Sequence, residues 1–169
     1  DLGEMAAHLH QRQHQRSEFV AHGQAGETQV DVVARAVQRE RRGARIGIAD
    51  VVGQLPARVE RVLIRQYQRY PDVWDNDLKG LDPALIAALA ARGCRLIGVD
   101  AASVDPANSK TLDAHHAIEA AGIAIIEGLV LDHVAPGAYE LIAPPLKIEG
   151  CDAAPLRAVL RTLPGKDIP

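Results

Sequence analysis

Between Val62 and Glu127 the sequence alternates three short aliphatic runs with two segments carrying helix start and stop signals. No other feature constrains the fold as strongly. The runs are VLIRQY (Val62–Tyr67), RLIGVD (Arg95–Asp100) and IAIIE (Ile123–Glu127). The last two are nearly continuous in apolar residues, as in strands covered on both faces. Ahead of the second run, Asp82 can cap free amide groups and Pro83 suits the first helical position. Leu85, Ile86 and Leu89 then form an apolar face, and Gly93 suits the left-handed turn that closes many helices. Ahead of the third run, Leu112–Ala121 reads as a helix stopped by Gly122. Strand–helix–strand–helix–strand predicts an α/β domain with a partly parallel sheet. Beyond it, Pro136-Gly137 makes a turn and Tyr139–Ala143 (YELIA) starts a further strand, while Arg157–Leu163 reads equally as strand or helix. Upstream, Val30, Val33, Ala34 and Val37 recur at helical spacing, so Glu27–Arg42 is expected to be a helix with the Arg39–Arg45 cluster at its end.

The length, 169 residues, suits one domain, and the net charge of −3 gives no reason to expect a nucleic-acid partner. No apolar run approaches a membrane-spanning length, and no charged-then-apolar leader precedes a cleavage site. Cys94 and Cys151 lie far apart without metal-knuckle spacing, so a reducing, cytoplasmic setting is expected. Cys94 reads as a small core residue, and Cys151 has only Asp152 beside it, which does not activate a thiol. There is no G-x-G-x-x-G after a strand, no Walker A loop, no H-E-x-x-H and no G-x-S-x-G. Dinucleotide enzymes, P-loop nucleotidases, zincins and serine α/β-hydrolases are therefore disfavoured.

The chemistry is sought at the carboxyl edge of the strands, where open sheets bind ligands. Asp100 ends one strand at that edge, and His115 stands in the first turn of the next helix. From His115 to Ala121 the helix descends ~9 Å, and from Ile123 to Glu127 the strand climbs back ~13 Å. Glu127 thus returns to about the level of His115. Neutral imidazole plus carboxylate suits Zn or Mn, although about three protein ligands are usual at a catalytic site. Spacing alone leaves open whether the pair is a site or a helix-start histidine near a solvated carboxylate. His116, about 100° further round the helix, points elsewhere, and His133 reads as an exposed turn residue. His8, His10 and His14 read as a solvated tail, because no apolar pattern fixes them. Ser103 and Asp105 lie in the loop at the functional edge, where turn formation and substrate contact are both open.

Three stretches, Arg95–His116, Gly122–Leu146 and Asp152–Leu160, carry a specific likeness, above all SKTLDAH followed by EGLVLD. From about Leu55 to Pro164 the chain resembles bacterial kynurenine formamidases (arylformamidases), of the cyclase family of metal-dependent hydrolases. The family's metal-ligating His and Glu fall in the motifs DAH and EGL, which implies His115 and Glu127 as metal ligands. The resemblance further implies a swivelling β/β/α fold, a homodimer, and one or two Zn or Mn ions per site. The implied reaction is hydrolysis of N-formyl-L-kynurenine to L-kynurenine and formate in tryptophan degradation, with a histidine giving a proton to the leaving aniline nitrogen. Asp100, Ser103 and Asp105, in the DAASVD loop, are expected to shape the pocket for this small-molecule substrate.

Residues 1–54 do not follow the family. They contain no Lys, Tyr or Trp, and four of the seven His. The family's earlier motif, H-x-G-x-H-x-D-x-P-x-H, has no match there, so the catalytic acid/base residue is unassigned. The expected division is an atypical segment, 1–54, and a cyclase-like α/β domain, 55–169. Two explanations stand side by side: a frame error or mis-assigned start that replaced the amino-terminal half, or a divergent homologue that kept the fold and lost the site. In the second case the chain would be a binding or interaction module. A related cyclase-family amidohydrolase with another substrate is the third reading.

Overall fold

The structure, a computed structural model, describes residues 29–34 and 45–163, and the element labels below count within them. Two compact units are present; among the described residues the larger comprises 29–140 and 162–163, and the smaller 141–161.

In the larger unit the elements are β1 (Gln29–Ala34), α1 (Ile48–Val51), β2 (Arg61–Arg65), α2 (Pro83–Ala91), β3 (Leu96–Val99), α3 (Asp113–Ala121), β4 (Ala124–Ile126) and most of β5 (Gly137–Ile142). Strand order runs β4-β3-β2-β1-β5. The first four are mutually parallel, with Val62 opposite Ile97 and Ile97 opposite Ile125, and β5 runs antiparallel to β1. The expected α/β class and partly parallel sheet are therefore present. Each β-α-β crossover returns its strand to the same edge, so residues 66–67, 100 and 127, following β2, β3 and β4, share the carboxyl edge.

The punctuation read from the sequence does what its chemistry requires. The Asp82 carboxylate accepts a hydrogen bond from the Ala84 amide at 2.8 Å, with Pro83 as the first helical residue. Gly122 closes α3 at φ 66°. Leu85, Ile86 and Leu89 of α2 and Ile118 of α3 are buried against Val62, Ile64, Ile97 and Val99 on one face of the sheet. Each such aliphatic side chain contributes roughly 1.5–3 kcal/mol by leaving water. On the same face Ile46, bridged to Leu81, is fully buried. In the smaller unit, taken by itself, Pro145 and Leu156 form an antiparallel bridge, and β6 (Val159–Thr162) makes the ambiguous 157–163 segment a strand.

One expectation is overturned. Residues 29–34 are a strand, not the start of a helix over Glu27–Arg42; residues 35–42 of that span lie outside the described set, as do His8, His10, His14 and Arg39–Arg42. The valines that suggested a helical stripe are β-branched residues that favour extended backbone, and β1 is hydrogen-bonded on both sides, to β2 and β5. Tertiary pairing decided between two periods that six residues cannot separate.

Candidate metal centre

The loop from Asp100 to Asp105, between β3 and α3, builds the centre by holding its neighbours. Asp105 is almost fully buried. Its carboxylate accepts hydrogen bonds from the amides of Ala114 (3.0 Å) and His115 (3.1 Å) and from the ring of His115, Nδ1 standing 2.8 Å from Oδ2. Burial alone would raise the Asp105 pKa. The Ala114 amide and the ring and amide of His115 outweigh burial and hold it below the usual carboxylate range. An ionised carboxylate only accepts, so Nδ1 carries a proton, and in the neutral ring Nε2 is the nitrogen left with a lone pair.

That lone pair faces Glu127. His115 Nε2 is 3.5 Å from Glu127 Oε1, and the same oxygen accepts the Val104 amide at 2.8 Å. Ligands bonded at ~2.1 Å in tetrahedral array about Zn stand about 3.4 Å apart, so the separation fits two donors of one ion. Both side chains are about one-third exposed, 34% and 32%, which leaves the pair reachable from solvent. A carboxylate behind a ligating histidine is the usual way its tautomer and aim are set. Imidazole and carboxylate, so arranged, fit a divalent cation of the Zn or Mn kind. Among the described residues no third His, Cys, Asp or Glu joins them in a ligating group.

The three pocket expectations fall in distinct places. Asp105 sits behind His115. Ser103 Oγ accepts the Asp105 amide at 3.1 Å and so shapes the loop. Asp100 lines a cavity of about 220 Å³, yet its two oxygens accept the amides of Gln66 and Tyr67 at 2.9–3.0 Å. Burial pushes the Asp100 carboxyl up to about 6 against those hydrogen bonds. His116 stands half exposed with Glu119 3.9 Å from its Nδ1, and His133 is 74% exposed. Burial also pushes the Cys94 thiol up to about 11, as befits an unreactive core residue.

Sequence reasoning missed Arg45. Its guanidinium bonds Asp113 at 2.8 Å, accepts no proton in return, and stands 3.7 Å from Asp105, while also reaching the Leu81 carbonyl. Read as part of a helix-capping cluster, Arg45 instead braces the turn that carries His115. A partner 68 residues away leaves no local signal. Leu112, just before α3, is the non-glycine residue at positive φ (49°) among those described, a strained entry into the same turn.

No family model matches the chain. It is 63% identical over 105 residues to the kynurenine formamidase of Maricaulis maris, covering 62% of this chain and 50% of that protein. Against the kynurenine formamidase of Sphingopyxis alaskensis it is 52% identical over 126 residues, 74% of this chain and 60% of the other. Against that of Delftia acidovorans the figures are 53% over 116 residues, 69% and 54%. The chain thus spans between half and three-fifths of the length of these curated relatives, and over that span it is their homologue. Among solved structures, a predicted metal-dependent hydrolase from Bacillus stearothermophilus superposes with TM-score 0.68 at 27% identity, over 79% of this chain and 62% of that one. A potential metal-dependent hydrolase with cyclase activity gives the same score and identity over 79% and 64%. The α/β architecture is that of these hydrolases.

Proposed function

We propose that the chain has kynurenine formamidase chemistry: metal-dependent hydrolysis of N-formyl-L-kynurenine to L-kynurenine and formate. The observation that carries this reading is the His115–Glu127 pair, 3.5 Å apart, with the far side of the imidazole held by Asp105. The 52–63% identity to kynurenine formamidases supports a formamide substrate for the pair. His115 and Glu127 would hold Zn or Mn, one or two ions per site, and a bound ion would supply water activation and polarisation of the formyl oxygen. Asp105 keeps a proton on His115 Nδ1, the Val104 amide orients Glu127, and Arg45 braces Asp113 in the same first turn of α3. The finer fold, a swivelling β/β/α arrangement, the homodimer and a cytoplasmic setting belong to the same proposal. No helix among the described residues is long and apolar enough to cross a membrane.

The test is metal content together with formate release from N-formyl-L-kynurenine. Chelation should abolish turnover, and Zn or Mn should restore it. A chain that binds no metal stoichiometrically and releases no formate when supplied with metal overturns the reading. A second reading, a homologue that kept the fold without a complete site, is favoured by the absence of a third ligand among the described residues. Tight metal with turnover excludes it. The frame-error account of residues 1–54 rests on their Lys-free composition. It fails if no H-x-G-x-H-x-D-x-P-x-H is encoded in another frame upstream of the Leu55 codon.

A further inference from the structure

The start of α3 departs from the usual pattern in two ways at once. A helix is ordinarily opened by a residue in extended backbone, whose side-chain oxygen accepts an amide two or three positions on. Leu112 holds that place, and its carbonyl accepts the first intrahelical bond, from the His116 amide at 3.0 Å. Yet its side chain carries no oxygen, and its backbone is left-handed, at φ 49° and ψ 44°. That conformation crowds Cβ against the following carbonyl oxygen, and glycine is the residue that takes it freely. Packing gives little in return, because Leu112 is 38% exposed.

The cap comes from outside the helix instead. The amides of Ala114 and His115, the two a local cap would take, donate to Asp105 Oδ1 at 3.0 Å and Oδ2 at 3.1 Å. The same buried carboxylate stands 2.8 Å from His115 Nδ1. Ser109 Oγ accepts the Leu112 amide at 3.1 Å and so holds the turn that delivers these amides. A serine or aspartate in extended backbone at position 112 would compete for the amides that Asp105 holds. Leucine cannot compete.

We propose that Leu112 is a positioning residue of the metal centre: its left-handed backbone gives the opening amides of α3 to Asp105, so that one carboxylate both caps the helix and aims the His115 ring. As a statement about a metal, this rests on the hydrolase reading above. The aim of the ring is a property of the chain with or without the ion. Strain kept at a site is offset by what the surroundings gain from it, and here the gain is the doubly used carboxylate.

Variants of the full chain test this, read by Zn calorimetry and, without metal, by the imidazole nitrogen shifts of His115. Leu112→Gly takes left-handed backbone freely and offers no cap of its own. It should keep Zn affinity within about twofold, keep the wild-type shifts, and melt no lower than wild type. Leu112→Val has a branched Cβ that resists this backbone. It should weaken Zn on the order of tenfold or more and move the shifts away from an Nδ1-protonated ring. Added to Asp105→Asn, Leu112→Val should weaken Zn by less than about twofold more, because the route through Asp105 is already lost.

Loss of Zn affinity in Leu112→Gly overturns the proposal, since the side chain and not the backbone would then be at work. So does a Leu112→Val with wild-type affinity and shifts, or a loss that multiplies in full with that of Asp105→Asn. Should Leu112→Val fail to fold, Leu112→Gly decides alone. A wild-type chain that binds neither Zn nor Mn, with shifts that answer to Leu112→Val as expected, refutes the hydrolase reading and supports the aiming of His115. Metal-dependent formamide hydrolysis with shifts unmoved in Leu112→Val refutes the positioning role alone.

Discussion

At the scale of single residues, the loop read as a pocket wall is foremost a brace. Asp105 offers the clearest case, because both oxygens are engaged around His115. Asp105→Asn removes the obligatory acceptor at Nδ1 and lets the proton shift to Nε2. Zn affinity by calorimetry should fall 10–100-fold, with the change of tautomer visible in the imidazole nitrogen shifts. Asp100 sets a different prediction, on stability against pH. Its folded pKa, about 6, lies above the ordinary 3.8, so the folded state binds the extra proton between those values. The stability this proton contributes is complete below pH ~4 and is lost as pH rises through ~6. Wild type should therefore lose about 1–3 kcal/mol, read as a falling urea midpoint, across that window. Asp100→Asn should be flat there. A variant with the same slope as wild type would remove Asp100 as its source.

At the scale of elements, α3 and the loop before it are held by contacts from distant chain segments. Gly80 is one of them. A Cβ at this position would stand 2.4 Å from Pro106 Cδ and 2.8 Å from its backbone nitrogen. Backbone cannot give way as the end of a side chain can, so Gly80→Ala must displace the loop that carries Asp105. A loss of roughly 1–3 kcal/mol in unfolding free energy is expected, with weakened Zn binding as a second readout. Unchanged metal affinity would show that the loop's position does not aim His115. Arg45 acts on the same turn from the other side, through Asp113 at 2.8 Å.

At the scale of the whole molecule, β1 shows how far the fold reaches beyond the recognisable sequence. Residues 29–34 precede the stretch that resembles the formamidases, yet they pair with β2 and β5 inside the sheet. Val32 stands opposite both Leu63 and Gly137. Val32→Pro removes an amide from a strand paired on both sides and should cost about 3 kcal/mol or more, seen as loss of the cooperative thermal transition in circular dichroism. A normal melt would show that the rest of the sheet does without β1. Metal linkage belongs to this scale too. Saturating Zn should raise the melting temperature of wild type and leave His115→Ala unmoved.

The sequence by itself determined the β-α-β order, the capped start of α2 at Asp82, the glycine stop of α3 and the meeting of His115 with Glu127. All of these follow from local signals: a 3.6- or 2-residue period, a cap within two residues, and strand and helix rises that can be added along the chain. It pointed to a helix where residues 29–34 form a strand, and it left 157–163 as either, because short β-branched runs satisfy both periods. Only the tertiary structure decided that β1 lies in the sheet, that Asp105 stands behind His115 and that Arg45 braces Asp113. Those are contacts between residues far apart in the chain, and their partners are chosen by packing and pairing that no window of neighbouring residues contains.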